Sequence, residues 1–370
     1  MQIERIALLG TGLIGGSLGL AWKKNRPDLH IVGHDHSDVL AKAAQLGAID
    51  EQAPGDPGIA VRDADLVVLA VPLVSMLSLM ETIAAYLKPG AIVTDVGSVK
   101  APIARHAAAV LPTSNVFIGG HPMAGRERGG IAHADPFLFE SATYVLCPPD
   151  GMTTSDFSGN YAELIRLVEL TGARILVLEP KRHDRIASVV SHLPQILAVA
   201  LMNYAAEQNE TDDAFLRLAA GGFRDMTRIA SSPFDIWRDI IIANEGYILD
   251  ALSGFAATLQ RIRNRVAEES LDDLEDLFDS ARTVRNTIPK DTKGFMQPLA
   301  DIYVYAVDRP GEFLNITRTL FEAELNIKDI ELLKVREGTG GALRLSFADE
   351  TTANAAVTAL QQNGFTAYRL

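Results

Sequence analysis

Three glycines near the start of the chain have the spacing of a dinucleotide-binding turn. Gly10, Gly12 and Gly15 follow an apolar segment, residues 3–9, and precede a helical pattern. In that context Gly10 permits a tight turn, Gly12 lets a pyrophosphate approach the backbone, and Gly15 allows close packing of helix on strand. The amides at the helix start then face the phosphates, where the helix dipole favours anions. The sequence therefore predicts a dinucleotide site.

An acidic residue at the end of the second predicted strand indicates which dinucleotide binds. Asp35 lies 20 residues after Gly15 and can accept hydrogen bonds from the adenosine ribose. Its charge would repel a 2′-phosphate, so NAD is predicted rather than NADP, although a cationic His36 at low pH would weaken this preference. The predicted cofactor-binding residues are Gly10, Gly12, Leu13, Ile14, Gly15, Asp35, Val71 and Ser98.

Two polar residues on later loops have side chains suited to proton transfer. His121 follows the predicted strand 116–118, and Ser98 follows the predicted strand 91–96. Ligands of such sheets bind beyond the carboxyl ends of the strands, so we expect both side chains near the dinucleotide. The unperturbed pKa of histidine lies near neutrality, so His121 can take a proton from a hydroxyl group. Ser98 has a second interpretation, as the cap of a helix that begins near Lys100.

Three residues in the later, helical part of the chain could bind an anionic substrate. Arg228 has a planar guanidinium that matches a carboxylate, although a surface arginine is the alternative. His192 opens a helix, where it could contact a substrate or only cap and pack. Trp237 could line a pocket or lie partly in the core. We expect the loop that bears Arg228 to face the dinucleotide site across a cleft, as the loops of Ser98 and His121 do.

The elements that position these residues begin with an alternation of short apolar segments and helical patterns. The predicted strands are 3–9, 31–35, 66–71, 91–96, 116–118 and 143–146. Helical patterns such as 16–24 and 74–87 lie between them, which predicts a parallel, doubly wound α/β sheet of the Rossmann type. We place an NAD-binding domain at residues 1–152. One more helix–strand pair, 157–169 and 174–178, extends it to about residue 180.

Long helical patterns follow and predict a second, helical domain at residues 181–286 that binds substrate. They lie at 183–208, 235–266 and 271–286. Their broad apolar faces indicate a homodimer, although a buried core would produce the same pattern. Residues 287–298 contain prolines, lysines and a glycine and are expected to form a linker.

The remaining segment, residues 299–370, predicts a ferredoxin-like βαββαβ domain. Its predicted strands are 301–307, 327–335, 342–347 and 365–369, and its predicted helices are 312–324 and 351–363.

Composition limits the classes of partner. The 47 acidic residues outnumber the 34 basic ones, so the net charge of −13 disfavours nucleic acid and anionic membranes. No run approaches the roughly 20 uninterrupted apolar residues of a membrane span. The single cysteine, Cys147, excludes an intramolecular disulfide and favours a cytoplasmic protein. His34 and His36 flank Asp35 without further ligands, so no metal site is expected.

Five motifs occur in a fixed order along the chain. They are G-T-G-L-I-G-G-S from residue 10, D-V-G-S-V-K from 95, H-P-M-A-G-x-E from 121, S-H-L-P from 191 and G-G-F-R-D-x-T-R from 221. In these motifs the chain resembles, almost from end to end, the prephenate/arogenate dehydrogenases of tyrosine biosynthesis. The resemblance implies NAD-dependent oxidative decarboxylation of prephenate to 4-hydroxyphenylpyruvate. Oxidation of arogenate to tyrosine is the alternative within the family.

The resemblance also implies roles for individual residues. His121 would accept the proton of the substrate hydroxyl, and Ser98 would hold the imidazole beside the nicotinamide. Arg228 would bind the ring carboxylate, with His192 and Trp237 against the same substrate.

Two neighbouring charged residues of the H-P-M-A-G-x-E motif border the substrate side chain in this resemblance. Prephenate has an anionic keto acid there, whereas arogenate adds an ammonium group. The cation of Arg126 would favour prephenate, and Glu127 could favour either substrate.

The C-terminal segment resembles an ACT domain, a regulatory module that commonly binds amino acids. Asp308 and Gly311 lie at its first strand–helix turn, and Asn326 and Ile327 enter its second strand. The resemblance implies feedback inhibition by L-tyrosine, bound between paired ACT domains. The turn residues are also ordinary turn chemistry without a ligand. Tyrosine could instead bind in the active site, because it resembles the product.

Two further functions remain open. β-Hydroxyacid dehydrogenases share the plan of a Rossmann domain followed by helices, but they use a lysine on a helix of the second domain, and no such motif is evident. A non-catalytic sensor of NAD and an amino acid would need neither Ser98 nor His121.

Overall fold

The computed structural model describes residues 2–125, 128–287, 299–336 and 340–369. The chain divides into two compact units, Met1–Asp276 and Leu277–Leu370. The expected linker at 287–298 lies, apart from Thr287, outside the described residues.

The first unit is built on a single large sheet. Its eight described strands are β1 (Arg5–Leu9), β2 (His30–His34), β3 (Glu51–Gln52), β4 (Leu66–Leu69), β5 (Ile92–Asp95), β6 (Val116–Pro122), β7 (Thr143–Cys147) and β8 (Arg174–Val177). They lie in the order β3-β2-β1-β4-β5-β6-β7-β8, so the winding reverses between β1 and β4. Ligands of doubly wound sheets bind beyond the carboxyl ends of the strands at this reversal.

The strands are apolar on both faces because helices cover both sides of the sheet. In β1, Ile6 and Leu8 contribute to one buried cluster, and Ala7 and Leu9 contribute to another. Successive side chains of a strand point to opposite faces, so a nearly continuous apolar run is what a sheet buried on both faces requires. This pattern is why the strands could be predicted from the sequence.

One strand runs against the predicted direction. β7 pairs antiparallel with β6, with His121 opposite Val145, whereas the other strand pairs of this sheet are parallel. Between them, the described residues of segment 123–142 form only a 3₁₀ turn, Ile131–His133. Parallel neighbours need a long crossover, usually a helix. The prediction of an all-parallel sheet is therefore wrong at this pair.

Helices flank the sheet and then continue as a helical region. They are α1 (Leu13–Asn25), α2 (Ser37–Gln45), α3 (Pro57–Val61), α4 (Leu73–Ile83), α5 (Ala101–Val110), α6 (Thr154–Asn160), α7 (Ala162–Glu169), α8 (Pro180–Ala187), α9 (Leu193–Asn209), α10 (Ala214–Arg217), α11 (Gly221–Thr227), α12 (Phe234–Ala243), α13 (Glu245–Ala267) and α14 (Leu271–Thr287). The boundary between the two compact units falls within α14.

Two predicted helices are interrupted, and each interruption contributes a polar residue to the site described below. The helix predicted at 183–208 begins at Pro180 and contains a π-helical turn, Ser188–His192, between α8 and α9. Such turns occur frequently at functional sites. The helix predicted at 235–266 is broken at Asn244, where α12 and α13 meet at 94°.

Among the described residues one helical stretch is long and apolar enough to cross a membrane, and the bent pair Phe234–Ala243 and Glu245–Ala267 meets the same criterion only if it is counted as one span. Pro180–Asn209 meets that criterion by length and composition alone, and 33% of its most apolar window is buried inside the protein. The core helix of a soluble protein meets it equally. This stretch is apolar overall, but it also contains the buried polar side chains of His183 and His192.

The second unit has the predicted βαββαβ order. Its strands are β9 (Ala300–Ala306), β10 (Asp329–Arg336), β11 (Gly340–Phe347) and β12 (Ala367–Tyr368), and its later helices are α15 (Glu312–Glu322) and α16 (Glu350–Gln362). The strands form an antiparallel sheet in the order β10-β11-β9-β12. Ile302, Val304, Ile316, Leu345 and Leu360 belong to its own buried core. The unit is therefore ferredoxin-like.

Candidate active site

The glycine-rich turn has the shape of a pyrophosphate cradle. Gly10 has φ +95°, and a Cβ atom there would overlap the carbonyl oxygen of Ala70. A Cβ on Gly15 would overlap the carbonyl oxygen of Gly10, so helix and strand pack as closely as glycine allows. On Gly12, by contrast, a Cβ would meet no atom of the described residues within 4 Å. The turn thus provides the open approach that a dinucleotide needs.

Asp35 lies at the end of β2, beside this turn. One carboxylate oxygen accepts a hydrogen bond from the backbone amide of Thr11 at 2.7 Å, and the other accepts from the amide of His36 at 2.8 Å. Asp35 and Val71 line a cavity of about 410 Å³ together with His34, His36, Gly55, Ser75, Ser78, Leu79 and Thr82. The cavity has the position and the acidic group expected for the adenosine half of NAD.

His121 lies near the end of β6, and its side chain is 8% exposed. Its Nδ1 lies 2.8 Å from Nε2 of His183, the fourth residue of α8. The hydrogen bond found for the His121 ring among the described residues is the one at Nδ1. One ring nitrogen is therefore held by the protein, and the other is available to a ligand.

His183 is in turn held by an acidic residue. Its Nδ1 lies 2.8 Å from Oδ1 of Asp184. The Asp184 carboxylate also accepts hydrogen bonds from the backbone amides of Lys100 at 2.7 Å and Ala101 at 2.8 Å, at the start of α5. Helix starts have unsatisfied amides and favour negative charge, so this position holds Asp184 as a carboxylate.

These contacts correct the interpretation of Ser98 as the cap of α5. Asp184, and not Ser98, caps α5. The His121 ring is bonded to His183, and no described hydrogen bond joins it to Ser98. Ser98 is half-buried on the loop after β5, next to the strand that bears His121. Its predicted role beside the nicotinamide stays a prediction.

A buried ion pair is hydrogen-bonded to β6, the strand that bears His121. Lys100 is fully buried and bonds through its ammonium group to the Asp95 carboxylate and, at 2.6 Å, to the carbonyl oxygen of Gly120. Asp95 also accepts from the amide of Gly120 at 2.9 Å and from the amide of Gly97 at 2.8 Å. A buried charge is tolerated only when it is paired and hydrogen-bonded. The pair therefore fixes the backbone immediately before His121.

The surroundings keep the His121 imidazole neutral. Burial lowers the pKa of His121 well below its ordinary value, and it is lowered further by the charge of Lys100 and by the protonated forms of His183 and His192. Desolvation penalises the charged form of a buried histidine. At neutral pH the ring is thus in the form that can accept a proton.

His192 is fixed by Asn244, the residue at the break between α12 and α13. The Asn244 side-chain nitrogen donates to the carbonyl oxygen of Asp184 at 3.0 Å, and it lies 3.1 Å from Nδ1 of His192. Nδ1 must then accept, so the neutral ring bears its proton on Nε2. That buried nitrogen has no partner among the described residues. Burial lowers the pKa of His192 to about 4, so the ring is neutral at neutral pH.

The His192 side chain is 1% exposed and makes no capping hydrogen bond at the start of α9, so the capping interpretation is wrong. The half-buried ring of Trp237 meets it edge to face at 6.0 Å between centroids. Trp237 and His192 thus lie together, as expected.

Arg228 is exposed in a 3₁₀ turn, Arg228–Ser231, that follows α11. The Gln195 side chain on α9 donates to the carbonyl oxygen of Ile229 at 3.0 Å. This bond ties the turn to the helix whose first residues follow His192. Arg126 and Glu127 lie outside the described residues.

The expected effector residues lie in the second unit. Gly311 has φ +87° and precedes α15, and Asp308 lies in the same turn. Asn326 is exposed, and Ile327 packs against the core of the unit. A cavity of about 470 Å³ on this unit is lined by other residues, among them Arg309, Asn315 and Arg318.

Sequence reasoning missed the residues that hold the two histidines. Asp95, Lys100, His183, Asp184 and Asn244 were assigned no role. Asp95 and Lys100 lie within the D-V-G-S-V-K motif. Adjacent His and Asp residues at a helix start, such as His183 and Asp184, are a recognisable signal for an imidazole held in place. Asn244 gave no signal, because its role depends on the break in the helix.

The fold and the site define a class of protein. A glycine-rich NAD-binding turn, a neutral buried histidine and a helical second region together define an NAD-dependent dehydrogenase. Two family models match adjoining parts of the chain. They are the "Prephenate dehydrogenase, nucleotide-binding domain" over residues 18–177 and the "Prephenate dehydrogenase, dimerization domain" over residues 179–280.

Relatives along the whole chain agree with these matches. The prephenate dehydrogenase of Bacillus subtilis is 39% identical over 350 residues, which cover 94% of this chain and 93% of that protein. The prephenate dehydrogenase of Lactococcus lactis is 33% identical over 348 residues, which cover 93% and 94%. The chain therefore belongs to the prephenate dehydrogenase family.

Solved structures show the same architecture. The prephenate dehydrogenase of Aquifex aeolicus, solved with hydroxyphenyl propionate and NAD+, superposes with a TM-score of 0.70. It is 28% identical, and the match covers 78% of this chain and 99% of that one. The Synechocystis arogenate dehydrogenase gives 0.66 at 29% identity and covers 76% and 99%. The predictions of family, fold class, enzyme class and NAD are confirmed.

Proposed function

We propose that this enzyme oxidises prephenate with NAD and releases carbon dioxide and 4-hydroxyphenylpyruvate. The observation that carries the proposal is the buried, neutral His121, whose hydrogen bond found among the described residues is the one at Nδ1. The Bacillus subtilis and Lactococcus lactis relatives bear the name of this activity.

Prephenate is a cyclohexadienol with a ring carboxylate, a pyruvyl side chain and a 4-hydroxyl group. NAD, when bound, supplies the acceptor for the hydride that leaves the carbon bearing this hydroxyl. Nε2 of His121 takes the hydroxyl proton as the C–O bond gains carbonyl character. The bond from the ring to the departing carboxylate then gives its electrons to the ring, and the proton returns to the phenolic oxygen. Aromatisation drives the reaction, so the protein chiefly aligns the groups and manages one proton.

The other site residues bind and orient the substrate. The guanidinium of Arg228 suits the ring carboxylate, because its planar fork matches a carboxylate in two hydrogen bonds. Nε2–H of His192 is a donor with no partner among the described residues, and a buried donor is stabilised when a substrate oxygen accepts from it. Trp237 forms an apolar wall beside His192.

The choice between prephenate and arogenate is decided at the substrate side chain. The cation of Arg126 favours the keto acid of prephenate over the ammonium of arogenate. The first experiment follows NADH formation with each substrate, with and without tyrosine. Arg126→Asp should shift the ratio of kcat/KM values toward arogenate, and an unchanged ratio would refute this assignment. NADH formation with neither substrate would refute the proposed function and favour a sensor.

The enzyme is also proposed to be a homodimer. Helices α12 and α13 leave large apolar side chains exposed in a single copy: Phe234, Ile236, Ile242, Leu249 and Leu259. Exposed apolar surface of this kind marks association sites, and the matching family model describes a dimerization domain. Light scattering should give twice the chain mass of 39.9 kDa. A value of one chain mass would exclude the dimer.

Regulation is proposed for the second unit. Its ferredoxin-like order fits an ACT domain, with L-tyrosine as the effector and Asp308, Gly311, Asn326 and Ile327 as its binding residues. The cytoplasmic location predicted from the single, buried cysteine also stays a prediction.

A further inference from the structure

Three buried side chains form a continuous hydrogen-bonded series that ends at a helix start. His121 contacts His183 at 2.8 Å, and His183 contacts Asp184 at 2.8 Å. Asp184 then accepts from the first amides of α5. His183 is 2% exposed and Asp184 is 1% exposed, so water does not compete for these contacts.

The donors and acceptors of this series determine where each proton lies. The Asp184 carboxylate accepts from two backbone amides, and Nδ1–H of His183 donates to the same carboxylate. In a neutral His183 ring the other nitrogen, Nε2, is then an acceptor. It accepts from Nδ1–H of His121, and the lone pair of His121 is therefore on Nε2.

We propose that His183 and Asp184 are positioning residues of the reaction, which hold His121 in the tautomer that presents an unprotonated Nε2 to the substrate hydroxyl. The inference rests on the proposed function for the identity of that hydroxyl. The same series stabilises His121 after it takes the proton. Its Nδ1–H then donates more strongly to His183, whose Nε2 is made a better acceptor by the Asp184 carboxylate.

This positioning role explains how His121 can be neutral before the reaction and still take a proton during it. Burial and the nearby cation of Lys100 keep His121 neutral, and the same environment opposes its protonation during the reaction. A neutral acceptor bonded to Nδ1 favours the protonated ring without placing a formal charge in contact with it. His183 supplies that acceptor, and Asp184 orients it. Replacement of a group that fixes a catalytic tautomer is known to be costly in the serine proteases, on the order of 10⁴ in kcat.

The kinetic experiment compares two substitutions of His183. His183→Leu removes the acceptor, and we expect kcat to fall about 100-fold or more while KM for NAD changes less than about threefold. His183→Gln places an amide oxygen where Nε2 lies, so it should recover at least about tenfold of the lost kcat. His106→Gln is the matched control, because His106 lies on α5 and its polar contacts among the described residues are with Leu77 and Glu81. A kcat of His183→Leu within about threefold of wild type, or equal kcat values for Leu and Gln, would overturn the proposal.

A second measurement needs neither substrate nor substitution at His183. In protein labelled with ¹⁵N-histidine, the resonances of His121, assigned by their loss in His121→Asn, should show a protonated Nδ1 and an unprotonated Nε2 near neutral pH. The opposite pattern would overturn the proposal even if His183→Leu did not fold. Should wild-type enzyme form no NADH with prephenate or arogenate, the proposed function fails, and this measurement still tests the tautomer.

Discussion

Two of the three buried histidines described in the site, His121 and His192, are held in opposite protonation patterns. Nδ1 of His121 donates to His183, which leaves Nε2 as an acceptor. Nδ1 of His192 accepts from Asn244, which leaves Nε2–H as a donor. The site therefore combines one group that can take a proton with one that can donate a hydrogen bond to a substrate oxygen. A cyclohexadienol with carboxylate and keto groups requires both.

The lowered pKa of His121 predicts the pH dependence of the reaction. The neutral ring is the active form, and its pKa lies well below 6.5, so kcat/KM should stay constant from about pH 8 to 6.5 and fall only at lower pH. Burial is the main cause of this low pKa, and Lys100, His183 and His192 lower it further, while the carboxylates of Asp95 and Asp184 lie in the same hydrogen-bonded surroundings. A pH profile of kcat/KM checks the prediction. An acidic limb centred at or above pH 6.5 would show that the ring is less buried in solution.

The sheet could be predicted from the sequence because its signals are local. Apolar segments such as β1 and β4 are short, buried on both faces and followed by glycine, proline or aspartate. The direction of β7 could not be predicted, because it depends on how residues 123–142 connect the end of β6 to the start of β7. The break at Asn244 was missed for a related reason: apolar helical spacing continues through it.

The site could be predicted only in part. Motifs identified His121 and His192, since their residue types carry the chemistry. The groups that orient them are distant in sequence: His183 is 62 residues from His121, and Asn244 is 52 residues from His192. Such pairs form where α8 packs against α5 and where α13 packs against the π-helical turn, and one sequence contains no local signal for this packing. The residue type indicates which side chains can react, whereas the tertiary structure determines which ring nitrogen of each histidine bears the proton.

Asn244 should control the protonation of His192. Asn244→Asp replaces the donor with a carboxylate, which favours the imidazolium and raises the pKa of His192 from about 4 toward neutrality. The cation binds a dianionic substrate better, so KM for prephenate should fall as the pH is lowered from about 8 to 6, whereas the wild-type KM stays flat. Steady-state kinetics across this range measure the effect. Asn264→Asp, an exposed change on the same helix α13, is the control, and an equal response of both variants would contradict the assignment.

Arg228 should contribute mainly to substrate binding. Arg228→Ala removes a charged, bidentate contact worth about 1.5–3 kcal/mol, so KM for prephenate should rise about 10- to 100-fold with KM for NAD unchanged. Arg228→Lys should recover only part of this loss, because ammonium is a point charge. Arg224→Ala, in the same motif on α11, provides the comparison. Equal effects at the two positions would indicate a general charge effect and not a carboxylate site.

Asp35 should determine the preference for NAD. Asp35→Ser removes the negative charge that opposes a 2′-phosphate while it retains a short polar group beside Thr11. The ratio of kcat/KM for NAD to that for NADP should fall at least about 10-fold. Asp38→Ser, an exposed change in the first turn of α2, should leave the ratio as it is. If Asp35→Ser weakens NAD without improving NADP, the carboxylate acts on the turn and not on cofactor choice.

Feedback by tyrosine should depend on the turn residues of the C-terminal unit. Asn326 is exposed, so Asn326→Ala should not disturb the core, and we expect it to raise the tyrosine inhibition constant at least about 10-fold at unchanged kcat. Arg318→Ala changes an exposed arginine that lines the cavity of about 470 Å³ on the same unit, and it should leave inhibition intact.

The variants Asn326→Ala and Arg318→Ala distinguish three possible tyrosine sites: the turn residues, the cavity on the same unit and the active site. Loss of inhibition in Arg318→Ala alone would move the tyrosine site to the cavity, where a guanidinium can bind the amino-acid carboxylate. Inhibition that persists in both variants and is competitive with prephenate would place tyrosine in the active site. There it would occupy the position of the product, with its amino-acid group where the substrate side chain binds and without a ring carboxylate for Arg228 to bind. In that case Arg228→Ala should weaken the binding of prephenate more than that of tyrosine, because only prephenate has a ring carboxylate, and the same inhibition assays measure both.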